Sequence, residues 1–241
     1  EIYSEKYGVN FGVVRNVPFP QARPRQGDSP DRASGGPESA QGEETIVRGK
    51  KHIGDPRLKQ RIKPLIIYQG ALNKGRGLEQ AIGAMELLPE AELVIAGGGD
   101  LENELQALVA SRGIKNVRFA GRLSAEALRP LTRQAMLGIS VEEELGLNYR
   151  YALPNKLFDY IQARIPVVVS DLPEMSRLVK DYDIGLVARA HEPEGLAATF
   201  REALTNDALR QKWAFNLEKA ARELNWDNEK EILKAVYRKF T

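Results

Sequence analysis

The chain has no cysteine and only two histidines, His52 and His191. No disulfide framework, thiolate nucleophile or cysteine zinc site can be built from it, and two distant histidines make no local histidine metal motif. A reducing compartment is compatible with that composition. No run of about 18 apolar residues occurs, so no segment reads as a bilayer-spanning helix. Net charge is also scarce: 35 Lys and Arg against 33 Asp and Glu leave +2. That is too small to imply nucleic acid, and no nucleic-acid partner is expected. No apolar signal region follows Glu1, and the chain is expected to be a fragment of a longer product.

What is present is an ordinary globular composition, 42% hydrophobic and 28% charged over 241 residues, enough for a sizeable core in one or two domains. After Pro64, short β-rich runs alternate with amphipathic helical stretches, the pattern of βαβ units around a parallel sheet. Strands are expected at 65–69, 92–96, 117–120, 137–141, 167–170 and 184–187. Leu78, Ile82 and Met85 make one face of the first intervening helix; Leu101, Leu105, Leu108 and Val109 serve the second; Leu128, Leu131 and Ala135 serve the third. From Glu194 onward the chain reads as helical throughout, with Trp213, Phe215, Leu217, Leu224, Trp226, Ile232, Val236 and Tyr237 available for docking.

The N-terminal quarter differs. Residues 9–17 form a β-like run. From 19 to about 44 the chain is rich in Pro, Gly, Ser, Arg, Asp and Gln with almost no large apolar residues, too few to offset the entropy of ordering, so a flexible linker is expected. Residues 48–63 are strongly basic. Two readings stand for them: contact with an anionic surface, phospholipid head groups or a lipid-linked acceptor, or a solvated linker.

Three turns carry glycine. Gln69-Gly-Ala-Leu-Asn-Lys-Gly-Arg-Gly-Leu78 nearly matches a P-loop, but Arg76 and Gly77 replace the Lys and Ser/Thr that would hold phosphate and magnesium, which argues against ATP hydrolysis. An anion cradle remains: Gly70, Gly75 and Gly77 allow close backbone approach while Lys74 and Arg76 bring charge. The alternative is a packing turn with solvated cations. Ala96-Gly-Gly-Gly-Asp-Leu101, containing Gly98 and Gly99, resembles the start of a dinucleotide fingerprint. Glu102 stands where the third glycine would be, and Gly121-Arg122 where the ribose acid would be, so NAD is rejected. In Phe119-Ala-Gly-Arg-Leu-Ser124, Ser124 reads as a helix N-cap. The fourth strand ends in Glu142-Glu-Glu-Leu-Gly-Leu-Asn148, three acids that also read as a solvated strand end.

The most informative stretch is Leu147-Asn-Tyr-Arg-Tyr-Ala-Leu-Pro-Asn-Lys-Leu-Phe-Asp-Tyr-Ile-Gln-Ala-Arg-Ile-Pro-Val-Val-Val-Ser170, a loop, a helix and a buried strand. Pro154 pushes Leu153 out of helical geometry, and the Asn155 side chain is expected to cap the helix. A solvent-facing N-terminus with Lys156 would combine free N–H groups, the positive end of the dipole and an ammonium, which suits a phosphate or diphosphate. Asp159 by itself also reads as a solvated acid favourable to that dipole.

These residues resemble the nucleotide-sugar-binding half of GT-B glycosyltransferases, in particular the family 4 type of bacterial envelope polysaccharide clusters. The likeness covers about 64–241. In that family a helical acid precedes a Gly-x-Pro-Val-Val strand and holds the ribose hydroxyls; Asp159, seven residues before Pro166, occupies its place. Aspartate replaces the usual glutamate and Arg164 the usual glycine, a divergent branch. The resemblance implies that Arg76-Gly77 contacts the donor diphosphate and that Gly98 and Gly99 lie near the nucleotide. It also implies that the backbone of the Phe-x-Gly loop, with Gly121, Arg122 and Leu123, pairs with the base edge. Glu143 or Glu144 would meet the donor sugar, with Glu142 not set aside, and Asn148 and Tyr149 would be within reach of it. The span to Asp159 is longer than the family's, so the loop 145–153 must absorb extra residues.

The resulting expectation is a Rossmann-like parallel sheet with helices on both faces, the C-terminal half of a GT-B fold. Residues 1–18 would end the N-terminal acceptor domain and form the hinge, 19–63 a flexible, partly basic linker, and 64–241 the donor-binding domain. The last helix would cross back to the missing N-terminal domain and leave apolar surface exposed. The expected function is transfer of a sugar, with retention, from a nucleoside-diphosphate sugar to an envelope polysaccharide or lipid-linked acceptor, without a metal or other cofactor. The setting would be cytoplasmic, with peripheral contact at the inner membrane face as one option. A GT-B nucleotide-sugar epimerase and a non-catalytic nucleotide-binding module are the alternatives.

Overall fold

The computed structural model describes residues 15–20 and 63–238. Within them the apolar runs form six strands: β1 (Leu65–Gln69), β2 (Glu92–Ala96), β3 (Val117–Gly121), β4 (Leu137–Ser140), β5 (Val167–Ser170) and β6 (Gly185–Ala188). All pair in parallel in the order β3-β2-β1-β4-β5-β6. Central strands buried on both faces must be apolar throughout, and Ile66, Ile67, Val167, Val168 and Val169 are at most 1% exposed. Strand order reverses between β1 and β4, which pair at Ile66↔Leu137 and Ile67↔Gly138. Beyond the carboxyl ends of those strands lies the crevice in which open α/β sheets bind ligands. The expected Rossmann-like sheet with flanking helices is therefore present.

The helices are α1 (Leu78–Glu86), α2 (Glu102–Ser111), α3 (Ala125–Gln134), α4 (Leu147–Arg150), α5 (Asn155–Ala163), α6 (Pro173–Tyr182), α7 (Pro193–Thr205), α8 (Asp207–Glu223) and α9 (Trp226–Tyr237). The expected apolar faces are the ones used: Leu78, Ile82 and Met85 of α1 are buried, as is Leu105 of α2. Ser124 caps α3, accepting from Ala127 N at 3.3 Å. Among the described residues no helix is long and apolar enough to cross a membrane.

Several expectations need correction. The C-terminal region is not one continuous helical run. Asn206 ends α7 and caps α8, accepting from Leu209 N at 3.2 Å, and a second break falls at Leu224 and Asn225. β3 extends one residue to Gly121, β4 stops at Ser140, and β6 begins at Gly185. The loop 145–153 contains a helical turn, α4. The β-like run before Arg15, the linker 21–44 and the basic stretch 48–62 lie outside the described residues.

The C-terminal apolar residues divide. Trp213, Leu217 and Leu224 join the core, whereas Phe215, Ile232 and Tyr237 stay exposed. The described piece of the N-terminal segment is clasped by α9. Trp226 N donates to Pro18 O at 3.0 Å, and the buried Glu229 accepts from both Arg15 N (2.9 Å) and Arg15 Nη1 (3.0 Å).

Candidate functional site

One aromatic ring sets the height of α5 over the sheet. Tyr160 packs where a side chain on Gly138 would stand, since a Cβ there would lie 2.5 Å from the ring. Its hydroxyl accepts from Gln69 N at 3.2 Å and lies 3.3 Å from the Ile67 and Ile139 carbonyls. The ring thus spans β1 and β4 at the switch point. Two α5 residues, Lys156 and Asp159, are thereby brought to the strand ends.

Lys156 does not face solvent as expected. It is buried, its Nζ 2.7 Å from Glu142 Oε1 and 4.1 Å from the centroid of the Tyr68 ring. The helix also starts differently. Pro154 is the N-cap, Asn155 is the first helical residue and exposed, and no side-chain cap bond forms. Pro154 already supplies the extended geometry that the cap position needs, so Asn155 moves inside the helix.

The carboxylate beside Lys156 is Glu142, fully buried just beyond β4. Its Oε2 accepts from Ser140 Oγ at 2.7 Å, its carbonyl accepts from Ser170 Oγ at 2.6 Å, and Arg76 Nη1 lies 3.7 Å from Oε1. Burial pushes its pKa up as the largest single influence. The Lys156 charge and the hydrogen bonds from Lys156, Ser140 and the backbone together outweigh it, and the group is held below the usual glutamate range. Burial, aided by Arg76 and opposed by Glu142, holds Lys156 below the usual lysine range. The cluster thus contains two cations and one anion.

Arg76 comes from the β1–α1 turn and is partly exposed, 5.8 Å from the Tyr149 ring centroid. Gly77, the N-cap of α1, has φ 65°, and a Cβ there would lie 1.9 Å from Val141 O, so no side chain fits. Gly70 lies over Lys156, whose Cε would be 4.0 Å from a Cβ at that position. Lys74 is exposed, and its carbonyl accepts from Tyr149 Oη at 3.1 Å. The segment after β4 closes on the same turn through Glu143 N donating to Gly75 O at 3.0 Å. Of the two acids favoured for the donor sugar, Glu143 is half-buried, and Glu144 is exposed and paired with Arg150 at 2.7 Å. Neither enters the buried cluster; Glu142 does. Asn148 is exposed on α4.

Asp159 lines a separate pocket with Pro18, Gln69, Ala125, Leu128, Arg129, Thr132 and Ala163. It accepts from Gln69 Nε2 at 2.9 Å. Burial raises its pKa as the first influence, while the Gln69 hydrogen bond and Arg129 pull the other way. A neighbouring cavity of about 440 Å³ is lined by Gly70, Ala71, Ala96, Gly97, Gly98, Arg122, Leu123 and Leu128. The strands approach closely there: a Cβ on Gly97 would lie 1.8 Å from Gly70 O, and one on Gly99 2.4 Å from Asn73 Oδ1. Arg122 lies across Gly98, and Gly121, at φ 65°, makes the turn before it.

Sequence reasoning missed Gln69, Thr132 and Arg129, and did not single out Glu142. Signals existed for two of these. Glu142 continues the period-2 face of Ser140 inward, and Gln69 is the polar end of an otherwise apolar strand.

The family described as glycosyl transferases group 1 matches residues 52–220. An uncharacterized glycosyltransferase of Methanocaldococcus jannaschii is 28% identical over 171 residues, 68% of this chain and 42% of that protein. The phosphatidyl-myo-inositol mannosyltransferase of Mycobacterium leprae is 26% identical over 163 residues, 66% of this chain and 41% of its own. The chain therefore spans about two fifths of the length of these relatives. Among solved structures, Anabaena HepE in complex with UDP superposes with a TM-score of 0.62 at 15% identity, covering 76% of this chain and 51% of that one. At that identity the likeness speaks to fold.

Proposed function

The chain belongs to the group 1 glycosyl transferases, and from that premise we propose that it is the donor-binding half of a glycosyltransferase that takes a nucleoside-diphosphate sugar. The observation that carries this reading is the buried cluster at the switch point, in which Lys156 and Arg76 share the single carboxylate of Glu142. A diphosphate seated over Gly70 supplies the missing negative charge. The N-terminus of α1, capped by Gly77 without a side chain, adds backbone N–H groups on that side. Arg76, the more exposed cation, makes the direct phosphate contact; Lys156 acts from beneath and is itself held by Glu142. As the glycosidic bond breaks, negative charge grows on the departing diphosphate, and these fixed cations stabilise it without reorganising. The protein's own cations serve this role, so no divalent metal is assigned.

On the same reading Asp159 accepts from the ribose hydroxyls, and the cavity beside Gly97, Gly98, Arg122 and Leu123 takes the nucleoside. Glu143, Glu144, Asn148 and Tyr149, on the segment closing over the β1–α1 turn, are nearest to the donor sugar. No protein nucleophile is assigned, and the family resemblance implies retention. The acceptor, an envelope polysaccharide or lipid-linked molecule, would sit on an N-terminal domain. The mannosyltransferase relative, whose name specifies a phosphatidylinositol, supports a lipid-linked class. The site of action would be cytoplasmic, with peripheral contact at the membrane. Positioning two reactants contributes on the order of 7–11 kcal/mol to such reactions, so this half alone should bind donor and hydrolyse it slowly at most.

The test is calorimetry with UDP-glucose and GDP-mannose on the 241-residue chain and its Arg76→Gln variant. One donor should bind, and Arg76→Gln should weaken it at least about tenfold, the loss of one charge-assisted phosphate contact. Equal affinity in the variant would refute the phosphate assignment.

A further inference from the structure

Asp159 does not stand alone in its pocket: a buried relay reaches it from behind. Thr132 Oγ1 lies 2.8 Å from Gln69 Oε1, and Gln69 Nε2 lies 2.9 Å from Asp159 Oδ2. Gln69 is 4% and Thr132 3% exposed, while Asp159 opens to the pocket. The main chain of Gln69 is fixed as well, by its bond to Tyr160 Oη.

We propose that Gln69, backed by Thr132, is a positioning residue that holds the Asp159 carboxylate ionised and turned so that one oxygen remains free to accept hydroxyl hydrogens from a vicinal diol, the ribose of the donor. This rests on the donor-binding reading above.

The direction of the relay follows from donor and acceptor inventory. A carboxylate accepts only, so the amide group facing Asp159 must be NH₂ and the one facing Thr132 must be the carbonyl. Two oxygens 2.8 Å apart need a proton between them, so the Thr132 hydroxyl donates to Gln69 rather than to Leu128 O, its other neighbour at 2.9 Å. Protonated Asp159 would favour the reversed arrangement, with Gln69 turned over and Thr132 donating to Leu128. The relay therefore couples the amide's orientation to the charge of Asp159. The bond takes up Oδ2, and Oδ1 is the oxygen assigned to the ligand in the pocket that Asp159 lines. Other groups face the carboxylate too: Arg129 from α3, which favours its charge, and the neutral phenol of Tyr160 from its own helix. Arg129 is exposed and screened, whereas the Gln69 bond is not.

The experiment uses Gln69→Met, close in shape but without the amide, Thr132→Val, and Asp159→Asn. Two quantities are read: affinity for UDP-glucose or GDP-mannose, whichever binds, and the Asp159 titration midpoint by carbon NMR of the aspartate carboxyls, assigned by its disappearance in Asp159→Asn. Gln69→Met should move the midpoint upward and weaken the donor about three- to tenfold. Thr132→Val should do both in the same direction, more weakly. A purely structural Gln69 would cost affinity with the midpoint in place, and that result overturns the proposal. So does unchanged donor affinity in Gln69→Met when Asp159→Asn loses it. If Asp159→Asn itself binds donor as well as the wild type, the ribose assignment falls, and with it the positioning role.

Discussion

Two carboxylates meet α5 within one turn of each other, and their environments shift them in opposite directions. Glu142, against Lys156, is completely buried yet sits below the usual carboxylate range. Asp159, only partly buried, sits above it. The difference is the partner. A full opposite charge 2.7 Å away, with a serine hydroxyl on the second oxygen, outweighs desolvation at Glu142. A neutral amide and an exposed arginine do not outweigh it at Asp159. At the first site the Glu142–Lys156 pair is compensated within itself, and the cation left over there is Arg76. The second retains an unmet need that a ligand's hydroxyls can meet, as expected of a binding surface whose stability has been traded for function.

Removing the compensation should give the largest effect. Lys156→Met leaves the buried Glu142 with only the more distant Arg76, 3.7 Å away, and should destabilise the fold by about 3 kcal/mol in urea unfolding. Glu142→Leu combined with Lys156→Met should recover most of that loss, because the penalty comes from an unpaired charge and not from missing volume. A double variant as unstable as the single one would show that the pair holds the fold by some route other than charge. The pH dependence carries the same sign. Glu142 has a depressed folded pKa, so its stabilisation is complete above the ordinary glutamate value of about 4.3 and fades as pH falls through the folded value.

The opposite sign is expected at the second site. Asp159→Asn keeps an acceptor for Gln69 and removes the poorly compensated charge, so stability should rise by about 0.5–1 kcal/mol at pH 7. The wild-type group has a raised folded pKa, so its native state is penalised only when ionised. The variant's gain should therefore grow as pH rises through the folded value and vanish below about 3.9, where the acid is protonated folded or unfolded. Thermal melts from pH 3.5 to 7.5 would measure this; a gain independent of pH would mean that charge is not its cause.

The smallest effect should come from the end of the helix that carries both sites. Arg164 closes α5 at φ 61°, a left-handed conformation, where the family resemblance leads one to expect glycine. That geometry costs a non-glycine residue about 1–2 kcal/mol. Its guanidinium offsets part of this by donating to Gln162 O and by lying 3.6 Å from Glu218. Arg164→Gly should stabilise by no more than about 0.5 kcal/mol, since glycine's own backbone entropy takes back much of the relief. A marked loss would show that the arginine contacts outweigh the strain.

The amino-acid order alone determined the alternation of strands and helices, the parallel sheet, the glycine turns at the strand ends, and the placing of Lys156 and Asp159 on one helix after Pro154. These properties are local. Apolar period, proline geometry and turn chemistry act over a few residues, and a window of sequence contains all of them. The tertiary structure decided the partnerships. Which of Glu142, Glu143 and Glu144 turned inward depended on where β4 ended beneath α5, and Lys156 was buried because Tyr160 seated its helix in the space above Gly138. The amide that holds Asp159 comes from 90 residues away on β1. Charge compensation and desolvation act through space, so the chemistry of this site exists only where β1, β4 and α5 meet.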